Sequence, residues 1–474
     1  MWKFLQKKSK MVFDRILVFL IMLVQPLAVC FSLNIKKMSS MVKKHRPMRK
    51  FFVCAGLAVV GTTSLQAAYT PDLNSLETSK MWSVSGTLRG FYDDNYNTAP
   101  SGPLKRDSYG FEVSPSFSLN VPLQQTELGL RYTYGLYYYQ DRMSIDGRPI
   151  DQSHQVDLWV DHAFTERWQA KVQDSLAVGQ DPELLNAGLP IRVEGDNIHN
   201  TGMITLDTQW TPLVGTELSY QNNYYDYQNS GGNASNPSLA GLLNRLQHDV
   251  SLNVNWVVQP TLIAFVGYQY EQINYIGDEQ VGLATLAPSY YYSDNRDNRS
   301  HFGYVGAQYN PLDNVNLGVR AGIQYVDYYN PPAGLPSTSQ LSPYASLSAT
   351  YTYLPGSYVQ LGFTQTRNAT DVIAPGGGKA TLDQESSIAY AALNHQITPR
   401  LAGNVTGKIQ YSTFNGGLYD GKSQTWYSLG LNLAYSFNPH VSAEVGYNFD
   451  DLTSDVPGQK YERNRVYVGV TGTY

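Results

Sequence analysis

Tyr109-Gly110-Phe111-Glu112-Val113-Ser114-Pro115-Ser116-Phe117-Ser118-Leu119-Asn120-Val121 is the stretch that decides the fold. Its odd positions are apolar or aromatic, and its even positions are polar or small. Side chains of a strand alternate faces with period two, so this is a strand with one greasy and one wet side. It is 13 residues long. A tilted strand needs roughly 9–11 residues to cross a bilayer core.

The same unit recurs on both sides. Upstream, Trp82, Val84, Gly86, Leu88, Gly90 and Tyr92 share one parity, with Ser83, Ser85, Thr87, Arg89 and Phe91 on the other. Downstream of a tight turn at Pro122, Leu128, Leu130, Tyr132, Tyr134 and Leu136 alternate with Glu127, Gly129, Arg131, Thr133 and Gly135. Short turns return near Glu166, Pro212, Pro260, Pro311, Pro355, Pro399 and Pro439, at gaps of 40–51 residues. Proline suits them because it presets turn geometry and lacks the amide proton that a strand interior needs. Longer loops, rich in Gly, Asn, Asp and Pro, lie near 94–107, 140–152, 180–198, 228–245, 276–299, 328–340, 368–384, 414–424 and 452–464.

Eight short turns and nine long loops join eighteen strands. The fold class predicted is all-β: a transmembrane antiparallel β-barrel with short periplasmic turns and longer extracellular loops, in a Gram-negative outer membrane. A soluble propeller also repeats at about 40–50 residues. Propellers, however, bury both faces of most strands, and here one parity is nearly always Ser, Thr, Asn, Gln, Gly or charged.

Aromatic residues mark both ends of the strands. Phe164, Trp168, Trp210, Trp256, Tyr309, Tyr353 and Phe437 stand by the short turns. Tyr92, Tyr137, Tyr138, Tyr139, Tyr224, Tyr225, Tyr275, Tyr325 and Tyr447 stand at the far ends. Two interfacial belts are expected, because an amphipathic ring is most at home at a membrane interface. One residue breaks the pattern. Asp174 shares the outward parity with Trp168, Ala170, Val172, Leu176 and Val178, which calls for a bulge or a shifted boundary.

The N-terminal region is a different polymer. Residues 1–67 hold 12 of the 34 Lys and Arg and one of the 39 acids, so residues 68–474 carry 22 bases against 38 acids. Met48-Arg49-Lys50, the apolar run from Phe51 to Val60 and the small residues up to Ala67 have the three parts of a secretory signal. The expected division is an extended or mis-assigned leader over 1–47, a signal peptide over 48–67, a short periplasmic lead over 68–81 and the barrel over 82–474. A second apolar run, Ile16 to Leu33, favours a start site drawn too early. Both cysteines, Cys30 and Cys54, fall in the leader, so the mature chain needs no disulfide.

Charges on the wet parity belong to the lumen, because a basic residue near the lipid midplane costs about 2–4 kcal/mol and an acid somewhat less. The pore-lining residues expected are Arg89, Glu112, Arg131, Asp157, Asp161, Lys171, Asp249, Glu271, Arg320, Lys408 and Glu444. Loop 180–198 carries apolar residues that need something to pack on. In many porins the third loop folds inward, so Asp181, Glu183, Arg192, Glu194 and Asp196 are candidates for a constriction, with loop 276–299 as a competitor. No single loop is long enough to plug a barrel of eighteen strands, which favours an open pore.

Gly416 to Ser423 matches the phosphate-loop pattern, but that motif works only between a strand and a helix, and no helical period follows. It reads as a loop tip, as does Gly376-Gly377-Gly378-Lys379. Seven histidines follow residue 67, none at metal-ligand spacing, and no catalytic set is visible. No metal, cofactor or enzymatic activity is expected.

Phe91-Tyr92-Asp93-Asp94-Asn95-Tyr96 closes the first strand, and strand patterns run from there to Tyr474. On these features the chain resembles the outer-membrane β-barrel porins, most closely the second β-barrel porin family. The final Tyr474 is similar to the C-terminal signal of bacterial outer-membrane barrels, which usually end in Phe. The resemblance implies contact with the barrel-assembly machinery through Tyr474. It also implies, as the alternative to a channel, a non-conducting structural or exopolysaccharide-associated barrel.

The function expected is passive diffusion of small hydrophilic solutes, with mild cation preference from acids gathered in the long loops. Outer-membrane lipid and lipopolysaccharide are the expected surroundings. A homotrimer is open to such a chain, and no nucleic acid is expected as a partner. A gene starting at Met48 should deliver the same mature protein as the full reading frame, as N-terminal sequencing would show. Retention in the cytoplasm would mean that the upstream segment is required.

Overall fold

The computed structural model describes residues 80–142, 148–179, 196–283, 290–332, 336–374 and 380–474. The leader, the signal, all of the periplasmic lead except Lys80 and Met81, residues 180–195 and Gly376–Lys379 lie outside the described residues. The strands are β1 (Trp82–Asp93), β2 (Ser108–Pro122), β3 (Thr126–Tyr139), β4 (Ile150–Thr165), β5 (Trp168–Gly179), β6 (Asn197–Gln209), β7 (Val214–Tyr227), β8 (Arg245–Gln259), β9 (Leu262–Tyr275) and β10 (Gln280–Leu283). They continue as β11 (Tyr290–Tyr292), β12 (Asn298–Leu312), β13 (Val315–Tyr328), β14 (Thr338–Leu354), β15 (Ser357–Asn368), β16 (Asp383–Thr398), β17 (Leu401–Asn415), β18 (Ser423–Asn438), β19 (Val441–Ser454) and β20 (Tyr461–Thr473). One short helix, α1 (Leu239–Leu243), lies between β7 and β8.

Eighteen of these strands form one sheet with antiparallel neighbours. β1 pairs with both β2 and β20, so the sheet closes on itself and presents no edge. The small hairpin of β10 and β11 stands apart, inside the β9–β12 connection. Each of the eight expected short turns separates a strand pair, for example at 260–261 and 399–400.

Parity along the strands decides the two faces. Leu88, Val266, Val305 and Val468 point outward and are 58–62 % exposed. Their inward neighbours, such as Ser300, Gln324 and Gln410, are 1 % exposed. The wall is therefore apolar outside and polar inside.

The inner face holds more than polar groups. Six glycines face an aromatic ring on the directly paired strand: Gly110 with Phe91, Gly129 with Trp159, Gly267 with Tyr304, Gly306 with Phe265, Gly362 with Tyr390 and Gly446 with Tyr467. A Cβ on Gly129 would stand 1.9 Å from the Trp159 ring. Each glycine gives a large ring room to lie flat against the wall.

The far aromatic belt needs correction. Tyr139, Tyr225 and Tyr275 are buried on the inner side, and Tyr137 packs with Tyr139 there. Three consecutive tyrosines cannot share one face of a strand, and of Tyr137–Tyr139 only Tyr138 lies outside, opposite Phe111. Tyr92, Tyr138, Tyr224, Tyr325 and Tyr447 keep the outer position.

Asp174 is not rescued by a bulge. The β4–β5 register runs unbroken from Ser153 opposite Gly179 to Ala163 opposite Gln169, and shifts only beside the turn. Asp174 therefore stands on the outer wall, opposite Leu158 and Gly202. The topology places epitope tags at Gly231 and Gly458 on the cell surface and one at Pro260 in the periplasm. Antibody labelling of intact cells should detect the first two and miss the third; labelling at Pro260 would invert the orientation.

Candidate functional site

The inner wall carries its charges in separate groups. Arg89 on β1 bridges two strands, donating to Glu112 at 3.1 Å and to Glu444 at 2.6 Å. Asn432 also donates to Glu444, at 2.9 Å. Across β3 and β4, Arg131 stands opposite Asp157, whose carboxylate accepts from Ser175 at 2.8 Å. Asp161 stands opposite Lys171 and accepts from Gln169 at 2.5 Å, while Lys171 reaches Asp207 at 3.1 Å. Charges matched in this way keep the wall polar without leaving a buried charge uncompensated.

Higher on β8 and β9, Asp249 faces Glu271, and the Gln247 amide donates to both, at 3.2 and 2.9 Å. Arg320 is packed among aromatics. Its guanidinium lies 4.5 Å from the Tyr304 ring and 5.6 Å from Phe265, and it donates to the Tyr344 hydroxyl at 3.2 Å. Tyr304 in turn donates to Asn253 at 2.9 Å, and Asn253 donates to Glu217 at 3.0 Å. The Lys408 ammonium lies 4.4 Å from the Trp426 ring. These ring contacts hold each cation against an aromatic face. Nothing in the period-two pattern announced them.

Over this wall, loops from distant strands meet. Ser238 caps α1, its hydroxyl accepting from the Gly241 N–H at 2.9 Å and donating to Glu279 at 2.5 Å. Leu242 and Leu243 of α1 pack with Tyr225 and Tyr227 of β7, Val281 of β10, Tyr291 of β11 and Ala380 of the β15–β16 connection. Five strands of the wall, β8, β9, β12, β13 and β14, separate β7 from β15. Arg296 ties the three connections together. It is 0 % exposed, donates to the Leu242 carbonyl at 2.7 Å and to the Thr370 carbonyl, and stacks 4.4 Å from the Tyr275 ring.

The β15–β16 connection reaches this point because its hairpin leaves the wall. The β14–β15 ladder ends at Ala345 opposite Gln365, whereas β15 and β16 stay paired to Asn368 opposite Gln384. Beyond that point, Gln324 of β13 accepts from the Arg367 N–H at 2.9 Å, and Tyr328 of β13 donates to Asp383. Both contacts pass over β14, so the hairpin tip leans inward. Asp383 also accepts from Arg367 at 2.6 Å and from Asn415 at 2.7 Å. The inward cluster is thus shared among three connections and is not the work of one loop.

The glycine-rich run at 416–423 has its reason here. Gly416 and Gly417 adopt φ of 85° and 68°, and a Cβ on Gly417 would stand 1.9 Å from the Ala374 carbonyl. The run allows close approach to the inward segment, and β18 rather than a helix follows it. The stretch Phe91–Tyr96 forms the barrel seam. Asp93 is fully buried and bonded to Arg463 at 2.6 Å and to Arg465 at 3.4 Å on β20. Asn95 donates to the Glu462 carbonyl at 2.8 Å. Beside the seam, Arg142 and Asp151 form a buried pair at 2.5 Å.

Burial pushes the Asp297 carboxyl up, next to Arg296 in the cover, with the Tyr275 N–H and the Asn274 amide opposing the rise. Burial also raises the Tyr291 and Tyr329 phenols. His199 stacks on Tyr225 inside the barrel, at 4.3 Å. His154, His248 and His301 stand on the outer face, bonded to Tyr132, Tyr220 and Tyr268 at 2.7–2.9 Å. Among the described residues no group of three or more His, Cys, Asp or Glu could hold a metal. Of the constriction candidates, Asp181, Glu183, Arg192 and Glu194 lie outside the described residues; Asp196 pairs with Arg148 at 3.4 Å in an exposed position. The competing loop, 276–299, supplies Glu279, Val281, Tyr291 and Arg296 to the cover.

Residues 341–474, from within β14 to the C-terminus, match the model of the family described as "Putative beta-barrel porin 2". The resemblance drawn from the sequence was to this family. No match was found among curated proteins. Among solved structures, OpdK of Pseudomonas aeruginosa with vanillate is similar at TM-score 0.43 and 12 % identity, over 83 % of this chain and 99 % of that one. OccAB4 of Acinetobacter baumannii is similar at TM-score 0.42 and 12 % identity, again over 83 % and 99 %. The ferric enterobactin receptor PfeA of Pseudomonas aeruginosa, as a mutant, follows at TM-score 0.40 and 12 % identity, over 82 % and 80 %. The protein is an outer-membrane β-barrel whose residues 341–474 are similar to that porin family.

Replacing Arg296 by Ala removes two charge-assisted donors and leaves the Leu242 and Thr370 carbonyls unsatisfied, at about 1–3 kcal/mol each. Hydrogen exchange should quicken in α1 and around Thr370 while the wall strands keep their protection. Unchanged exchange in both loops would mean that Arg296 does not hold the cover.

Proposed function

We propose that this barrel is a diffusion channel for small hydrophilic solutes whose permeability is set by its cover rather than by the width of its wall. The observation that carries this reading is the meeting of three connections around Arg296. A barrel of 16–18 strands would otherwise leave an aqueous channel, roughly as wide as in general porins. The eleven inward charges line the path, and with five bases against six acids they carry little net sign. Tyr474 serves as the contact for barrel assembly, and no chemistry is assigned to the wall.

Mild cation preference rests on the excess of acids, 38 against 22 bases after residue 67. Several mouth acids already have a cationic partner, among them Asp93, Asp94, Asp151 and Asp383. We assign any preference to the acid excess of the long loops as a whole, to which loop 180–198 contributes Asp181, Glu183, Glu194 and Asp196. Such a bias fades with salt, as the Debye length falls from about 10 Å at 0.1 M to about 3 Å at 1 M.

Planar-bilayer recording tests the proposal. Wild type should show small unitary currents, and Arg296→Ala currents several-fold larger. Reversal potentials should show cation preference at low salt, reduced by neutralising Asp181, Glu183, Glu194 and Asp196 together. If neither protein conducts, the channel reading is wrong and the non-conducting structural or exopolysaccharide-associated barrel takes its place.

A further inference from the structure

Asp174 is misplaced for a barrel surrounded only by lipid. It stands five residues from one end of β5 and six from the other. Among the described residues, every other charged side chain on the outward parity lies within three residues of the loop end of its strand, as Asp226, Arg299 and Asp451 do. Leu176 and Val178 continue the apolar face above Asp174, so the carboxylate lies within the belt and not at its rim.

It is not an isolated polar group. Asn200 of β6 donates to Asp174 Oδ1 at 3.1 Å, and among the described residues no hydrogen bond reaches Oδ2. Gly202 is the direct partner of Asp174, and Asn222 of β7 is the direct partner of Gly202. His248 of β8 follows Asn222 in the same row. Its Nδ1 accepts from the Tyr220 hydroxyl at 2.9 Å and from the Asn222 amide at 3.1 Å, which puts its proton on Nε2. The amides of Asn200 and Asn222 are also bonded to the Ser175 and Gln247 carbonyls, at 3.3 Å each, so the arc of four strands offers a carboxylate acceptor, an imidazole donor, and a glycine that keeps the wall low between them.

We propose that this arc of β5–β8 is the contact with a second copy of the chain. The occupant follows from the chemistry of the patch. Acyl chains satisfy none of these groups, and a carboxylate facing them is penalised. Another copy brings the His248 Nε2–H as well as an acceptor, so each copy supplies what the other's Asp174 lacks. Gly202 lets the two walls approach closely enough for those bonds to form, as small residues do at membrane interfaces. Self-complementary patches of this kind generate closed symmetric assemblies.

A photo-crosslinking amino acid tests the contact in native outer membranes. Ile204→p-benzoylphenylalanine places the probe on the outer face of β6, beside the patch, and Leu433→p-benzoylphenylalanine places it on β18, across the barrel. Both parent side chains are exposed, at 51 % and 45 %. On illumination, the β6 probe should give a product of a multiple of the chain's mass, containing peptides of this chain only, and the β18 probe should not. Adding Asp174→Leu should reduce that product tenfold or more, while heat-modifiable migration shows the barrel still folded. Equal products from both probes, a product containing another protein, lipid adducts alone, or a yield unchanged by Asp174→Leu would each overturn the proposal.

Discussion

In a bilayer core no water is present to satisfy a backbone N–H or carbonyl, and this constraint shapes the whole molecule. A sheet can meet it only by closing, so β1 must find β20. The ladder from Ser85 opposite Thr473 to Asp93 opposite Arg465 does so. At its loop end Asp93, without solvent exposure, is bonded to Arg463 and Arg465. A buried ion pair of this kind adds little stability over an apolar pair, but an unpaired member is costly, so it specifies which strands meet.

Closure divides every strand between two solvents. The outward residues are a hydrocarbon surface with rings at its rims. The inward residues must be polar enough to hold water, yet the wall is also furnished with flat-lying rings over glycines and with cations packed on aromatic faces. At the outer end the β15–β16 hairpin exchanges pairing with β14 for side-chain bonds to β13, and its loop meets α1 through Arg296. The cover is thus built from the connections between strands of the wall.

Strand number and turn positions were legible because they depend only on period-two alternation and on proline. Asp174 was legible as an anomaly, and the register shows that it is a real one. Three consecutive tyrosines misled because belt position was read from their height along the strand and not from their parity. The cover was not legible. Its contacts join residues 242, 296 and 370, which are far apart in the chain, and no local pattern records that three moderate loops converge. The glycines of 416–423 mimicked a phosphate loop because both uses need backbone without Cβ, one for an anion and the other for the Ala374 carbonyl.

The central claim is that connections from separated parts of the wall meet over the lumen. Spin labels on Leu239 of α1 and Asp371 of the β15–β16 connection, measured by pulsed dipolar spectroscopy in lipid nanodiscs, test it most directly. The account predicts one narrow distribution at short distance. A broad distribution, centred near the separation of the β7 and β15 walls, would contradict it.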